Sequence, residues 1–523
     1  MTKYNDNLQY NSCVYKGICS INPRTSALQN VLGVYLHLCA KYCLKLEEKD
    51  SLNPKIKKFI LNLIAISISN SDFTEECFME AISGLKELFP KIIKTYNDVY
   101  NKDDFKDENI LDSDIFQKSS DIVEAIKFGE YIFKTKISNL SVLNMDLLKI
   151  LMILSKSISI NLIDLESYKI NDKEAFKMLL LIFSTVDTDV ETDNIKTLIY
   201  KSAKINTVLM DKLHAEQEKR YGKQKITDVS YTTTPSKAVL TVGSNIKELE
   251  DVLESLKNTD IDVYTHDDMM VAHTFPKFGE YKNLKGQYGH GVENCLIDFA
   301  TFPGPIILTK HSLHNIENLY RGRLFTTDEN FYKGVIKIEN NDFSEVISSA
   351  DNSKGFKKGK SCETVTVGYD YDKCVELIKD KLNTNKYKKV VVIGLKDYSS
   401  KHRDYFEKMI KLISNDILII SFSYNFTKNN LLHFNVCFDA YAVVRMVSYI
   451  LNFNIPMDIF LPKCGKNTLA EMIYFAQFEK NTIYMGECEP IIINPSIQNT
   501  LKEVFKIKTI NSAKKDSEEV NKL

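Results

Sequence analysis

The residues of this 523-residue chain that could do metal or redox chemistry are its eleven cysteines, its nine histidines and a few carboxylates set among them. No two cysteines form a Cys-x-x-Cys pair. Cys13 and Cys19 lie near the N-terminus, and Cys39 and Cys43 follow at an i, i+4 spacing that places both on one helical face. Together the four could form a rewired four-thiolate metal site. The commoner outcome for free cysteines is that Cys39 and Cys43 are small buried hydrophobes on a core stripe. A second set, His266, Asp268, His273, His311 and His314, offers imidazole and carboxylate donors of the kind that bind zinc or non-haem iron. The glycines of GQYGHG (286–291) lack the G-x-G-x-x-G order and are expected to follow no strand, so they predict a turn rather than a phosphate loop. No nucleophile elbow, Walker motif or HExxH occurs.

The elements that must position these residues change character along the chain. The first 225 residues predict helices. In SALQNVLGVYLHLCAKYCLKL, Leu28, Val31, Leu32, Tyr35, Leu38, Cys39 and Tyr42 recur at helical spacing, as on a helix with one face toward a core. Similar stripes run through IKKFILNLIAISIS, CFMEAISGLKELF, LKILMILSKSI and FKMLLLIFSTV. From Lys237 onward, β-rich runs (KAVLTVG, GPIILTK, KKVVVIGL, DILIISFS, MDIFLP, NTIYMG) alternate with helical segments such as KELEDVLESLK and YFEKMIKLIS. That alternation predicts two successive parallel-sheet α/β units. The expected division is a helical domain over 1–228, α/β domains over 229–372 and 373–511, and a solvated polar tail over 512–523.

Composition excludes several classes. With 44% hydrophobic and 26% charged residues, the chain is globular rather than disordered. A net charge of −1 gives no basic stripe for nucleic acid. The polar start MTKYNDNLQYN is no signal-peptide core, and the longest apolar run, Phe59 to Ser69, is about half of what spans a bilayer. Cysteines without secretory signals point to a reducing compartment.

Residues 262–308, DVYTHDDMMVAHTFPKFGEYKNLKGQYGHGVENCLIDFATFPGPIIL, closely resemble the central block of the hybrid cluster proteins. These iron–sulfur enzymes are also called prismane proteins or hydroxylamine reductases and are related in fold to carbon monoxide dehydrogenase. Collinear similarities include SCVYKGICS with TSALQNVL, RLFTT (323–327), VVVIGLKDYSSKHRDYF, NVCFDAYA and IPMDIFLPKCGKN, so the resemblance spans nearly the whole chain. It implies an α/β fold: an N-terminal helical domain followed by two Rossmann-like domains.

The resemblance also implies where ligands should stand. The family's proximal cluster uses four cysteines near the N-terminus; Cys13 and Cys19 remain. Its hybrid cluster is held by one His, two Glu and four Cys. The His falls on Ser244, and the first Glu falls on Asp268, one methylene shorter. Three of the cysteines fall on Ser312, Lys396 and Ser423, and the fourth is kept as Cys437. The last Glu falls on Gly465, where a one-residue slip would place Cys464. Soft thiolates hold such clusters, a hydroxyl substitutes poorly, and a lysine ammonium opposes a metal electrostatically. The expectation is therefore a pseudoenzyme without cofactor. It would be a scaffold, assembly or regulatory protein, self-assembling or paired with an intact paralogue. The Lys/Asn/Ile-rich texture resembles clostridial proteins, for which a spore layer is one conceivable setting. Two alternatives remain: an iron–sulfur oxidoreductase drawing on Cys295, Cys464 or Cys488, and a small-molecule binding module using Lys396 and the nearby histidines.

Overall fold

The computed structural model describes residues 23–67, 74–100, 119, 121–135, 140–185, 191–289, 294–310, 319–328, 334–384, 386–394, 400–422, 424–436, 439–464, 466–488 and 495–522. Cα packing separates two compact units. One is Met1–Leu209 with Asn330–Lys333 and Pro490–Thr500; the other is Met210–Glu329 with Gly334–Glu489 and Leu501–Leu523.

The first unit is helical, with α1 (Pro23–Glu48), α2 (Pro54–Ser67), α3 (Glu75–Tyr100), α4 (Ile122–Thr135), α5 (Val142–Ser167) and α6 (Lys173–Thr185). All seven stripe residues from Leu28 to Tyr42 are buried, but so are Val34, Leu36 and Ala40 on the other faces. The helix is not amphipathic as its spacing suggests, because α3, α4 and α6 all pack against it. Gly129 on α4 permits the closest approach: a Cβ there would stand 2.0 Å from the Ala27 carbonyl oxygen. The next helix, α7 (Thr192–Tyr221), carries the division between the units, which falls after Leu209.

The second unit holds two six-stranded sheets. The first has the order β4-β3-β2-β5-β6-β7, formed by β2 (Lys237–Val242), β3 (Ile261–His266), β4 (Leu284–Gln287), β5 (Ile306–Leu308), β6 (Leu324–Thr326) and β7 (Ile336–Lys337). The second has the order β11-β10-β9-β12-β13-β14, formed by β9 (Lys389–Ile393), β10 (Ile417–Ser421), β11 (Leu431–His433), β12 (Met457–Cys464), β13 (Asn481–Cys488) and β14 (Lys508–Thr509). Every pairing in both sheets is parallel. The expected alternation of strand and helix is thus present: helices α8 (Ile246–Leu256), α9 (Cys295–Thr301), α10 (Ser344–Asn352), α11 (Tyr371–Leu382), α12 (Ser400–Leu412), α13 (Ala440–Leu451), α14 (Lys466–Ala476) and α15 (Pro495–Phe505) fall between strands. Central strands such as β9 and β10 are buried along their whole length, which is why they read as unbroken apolar runs. A separate antiparallel ribbon pairs β1 (Thr227–Ser230) with β8 (Thr364–Val367).

Two expectations are corrected. GQYGHG does follow a strand: its first two residues belong to β4, whose edge position and short length hid it. The C-terminal residues are not a solvated tail. They form α16 (Ala513–Val520), capped by Ser512 and packed on α12. Val520 is fully buried, Tyr405 donates to Asp516 at 2.5 Å, and the Lys389 ammonium donates to the carbonyls of Val520 and Lys522 at 2.9 and 2.8 Å. The segment looks solvated because most of its polar side chains are exposed; only Asp516, Ser517 and Val520 turn inward to hold the helix. Among the described residues, no helix is long and apolar enough to cross a membrane.

Candidate functional site

All seven candidate ligand positions share one topological feature. Ser244, Asp268 and Ser312 follow β2, β3 and β5, which are neighbours in the first sheet; Lys396, Ser423, Cys437 and Gly465 follow β9, β10, β11 and β12, which are neighbours in the second. Ligands of open parallel sheets bind at the carboxyl ends of strands. Ser312, Lys396, Ser423, Cys437 and Gly465 themselves lie outside the described residues, as do Cys13, Cys19, His311 and His314.

Ser244 and Asp268 are described, and both are exposed. The register pairs Val242 with His266, so each stands two residues beyond the last pair of adjacent strands. Ser244 precedes Asn245, whose side chain caps α8 by accepting from the Glu248 amide at 3.1 Å. Glu248 in turn accepts from the Lys310 amide (3.0 Å) and the Thr327 hydroxyl (2.6 Å), tying the start of α8 to the segments after β5 and β6.

Asp268 is the second residue of a 3₁₀ segment, Asp267–Thr274, that the strand β3 launches through a left-handed Asp267 (φ 61°). Left-handed backbone is uncommon outside glycine, although Asp tolerates it. A directional chain of hydrogen bonds holds the segment. His273 Nε2 lies 2.8 Å from Thr265 Oγ1, and the Thr265 hydroxyl donates to Gln287 Oε1 at 2.6 Å. The Gln287 amide then donates to the Asp267 carbonyl at 3.2 Å. Because the Thr265 proton is spent on Gln287, His273 is the donor to Thr265. Desolvation pushes the His273 imidazole down to about 4, favouring that neutral donor form.

His266 has no exposed surface. Its Nε2 lies 3.0 Å from Asp298 Oδ2, and Nδ1 is buried without a partner. A carboxylate can only accept, so the Nε2 proton is fixed by Asp298. Cys39 and Cys43 are deep in α1, 1% and 0% exposed, and burial pushes both thiols up, away from the thiolate that a metal takes. Cys295 begins α9 and is buried. Among the described residues, no group of three or more His, Cys, Asp and Glu side chains is placed to hold a metal ion.

Residues 9–442 match the Prismane/CO dehydrogenase family. The chain belongs to that family. Two similar relatives bear the name hydroxylamine reductase. The protein from Thermodesulfovibrio yellowstonii is 24% identical over 540 residues, 98% of each chain. The one from Acidiphilium cryptum is 23% identical over 530 residues, 96% of this chain and 94% of its own. A solved acetyl-CoA synthase/carbon monoxide dehydrogenase with NiZn[Fe4S4] and NiNi[Fe4S4] clusters is similar over 97% of this chain and 83% of its own, with 9% identity and a TM-score of 0.45.

Three residues of this Prismane/CO dehydrogenase chain near the candidate positions carry no sequence motif. Asp298 sits unremarked in the helical LIDFA. Gln224 donates from Nε2 to both Thr274 and Asp439 at 3.0 Å, linking the end of the 3₁₀ segment to the N-cap of α13. Glu471 on α14 is 1% exposed with neither carboxyl oxygen hydrogen-bonded. Only Glu471 had a signal, a lone carboxyl between the apolar residues Leu469 and Met472.

Proposed function

We propose that this chain keeps the fold of the hybrid cluster proteins without the hybrid cluster, and acts as a structural, assembly or regulatory protein. It would work as a homo-oligomer or beside an intact paralogue. The observation that carries this reading is the donor set at the seven positions that follow these strands in sequence: three hydroxyls, one short carboxylate, one ammonium, one glycine and one thiol. An iron–sulfur–oxygen cluster needs thiolate, imidazole and carboxylate donors there, and this set does not fit it. The exposed Ser244 hydroxyl supports the same conclusion, since it supplies no imidazole nitrogen. Retention of both parallel sheets beside loss of the donors fits a fold maintained for packing rather than for redox chemistry.

The test is iron and acid-labile sulfide content with a visible spectrum on anaerobically purified, reconstituted protein, together with its mass by light scattering. Iron-free, colourless protein in a defined assembly is the expected result. Brown protein with about four or more irons per chain and hydroxylamine reductase turnover would replace this reading with that of an iron–sulfur oxidoreductase.

A further inference from the structure

Gln224, Asp439 and Glu471 come from separate stretches of the second unit, and they leave three buried oxygens without a hydrogen bond: Gln224 Oε1 and both carboxyl oxygens of Glu471. The orientation of the Gln224 amide is fixed. Thr274 spends its hydroxyl proton on the Val271 carbonyl at 2.7 Å, and a carboxylate only accepts. The group that lies 3.0 Å from both Thr274 Oγ1 and Asp439 Oδ2 is therefore the amide nitrogen. The amide oxygen is thereby held next to Asp439, buried and without a donor.

Asp439 caps α13 by accepting from the Ala442 amide at 3.1 Å, and α14, which carries Glu471, packs against α13. Burial first, and the charge of Asp439 second, raise the Glu471 carboxyl, so the two acids lie within reach of each other's field. Arg445, farther along α13, pairs with Glu218 at 3.2 Å and lies over the Tyr371 ring, so its charge is engaged there. Among the described residues, no lysine, arginine or histidine pairs with Asp439 or Glu471. A buried carboxyl with both oxygens unbonded is costly, and an ion or ordered water at the site is the ordinary remedy.

Acceptors that lack donors select a cation over an anion. Carboxylate and amide oxygens suit hard ions, and two carboxylates neutralise a divalent one. We propose that Asp439, Glu471 and Gln224 hold a divalent, oxygen-seeking cation of the calcium class. Gln224 supplies a neutral amide oxygen of the kind calcium takes beside carboxylates. Without the ion, Glu471 keeps a proton, and binding releases it. None of these residues is among the seven positions that follow the strands in sequence. The inference goes beyond the scaffold reading and does not depend on it.

The full-length protein is stripped with EDTA, dialysed free of it, and melted in calcium, magnesium, sodium or potassium chloride at matched ionic strength. The expected result is a melting temperature that rises with calcium concentration, together with stoichiometric calcium in elemental analysis after dialysis. Glu471→Gln should melt at least as high as the wild type without calcium and lose the response to it. Gln224→Leu should need more calcium for the same rise. A shift with neither divalent ion, or with sodium or potassium alone, would overturn the proposal. Should a variant not fold, the wild-type titration decides by itself. Iron content, measured separately, reports on the scaffold reading alone.

Discussion

His266 Nε2 and Asp298 Oδ2 lie 3.0 Å apart, joining the end of β3 to the first turn of α9 around an imidazole with no exposed surface. Asp298 is the hydrogen-bond partner of that ring's Nε2, and its loss strands a buried polar group. Asp298→Ala should cost about 1–3 kcal/mol in urea unfolding, the penalty of an unsatisfied buried donor. Asp298→Asn should cost less, because its amide oxygen can still accept from Nε2. Equal losses for the two variants would show that the bond contributes little.

His273 predicts a stability that depends on mildly acidic pH. Its folded value, about 4, lies below the ordinary 6.5 because the ring is desolvated. The unfolded chain therefore takes up a proton first as pH falls, and stability drops between about 6.5 and about 4, then levels. The full effect is about 3 kcal/mol. Thermal unfolding of His273→Gln across that window should be flatter than that of the wild type; parallel curves would refute the assignment.

Glu471 predicts the opposite slope at higher pH. Burial, and then the charge of Asp439, raise its carboxyl well above the ordinary 4.5. The folded state then keeps a proton that the unfolded state has lost, so stability falls as pH rises from about 4.5 through the folded value. Glu471→Gln, a neutral isostere, should be at least as stable as the wild type at neutral pH and should lose this slope. A variant markedly weaker at neutral pH would mean that the carboxylate is charged and paired.

Lys389 anchors the C-terminus. Its ammonium lies 3.1 Å from Asp458 and donates to two backbone carbonyls of the last residues. Burial alone already raises the Asp458 carboxyl, and Lys389 opposes that rise. Lys389→Met should cost about 3–5 kcal/mol by leaving Asp458 buried without its cation. Adding Asp458→Leu should recover part of that loss. A double variant no better than the single would show that the carbonyl contacts dominate.

Much of the fold was legible in the chain. KVVVI and ILIIS are buried on both faces and read as continuous runs for that reason. The stripe of α1 was legible as a helix but not as one surrounded on all sides, since spacing records one face and says nothing of which neighbours cover the others. The edge strand β4 was hidden because four residues with two glycine-flanking polar positions carry little apolar signal. The last helix was hidden because its stability comes from hydrogen bonds to Lys389 and Tyr405, more than a hundred residues earlier.

What the chain determined by itself is the chemistry of its donors: whether position 244 offers an imidazole or a hydroxyl is a property of the residue, independent of folding. It determined the strand runs and helical stripes for the same reason, because their periods are local. Only the tertiary structure decided that Gln224 meets Asp439 across 215 residues of chain, and that β12 lies in parallel register beside β13. Both depend on how distant strands and helix ends align. That alignment is set by the packing of whole layers, which no short stretch of sequence encodes.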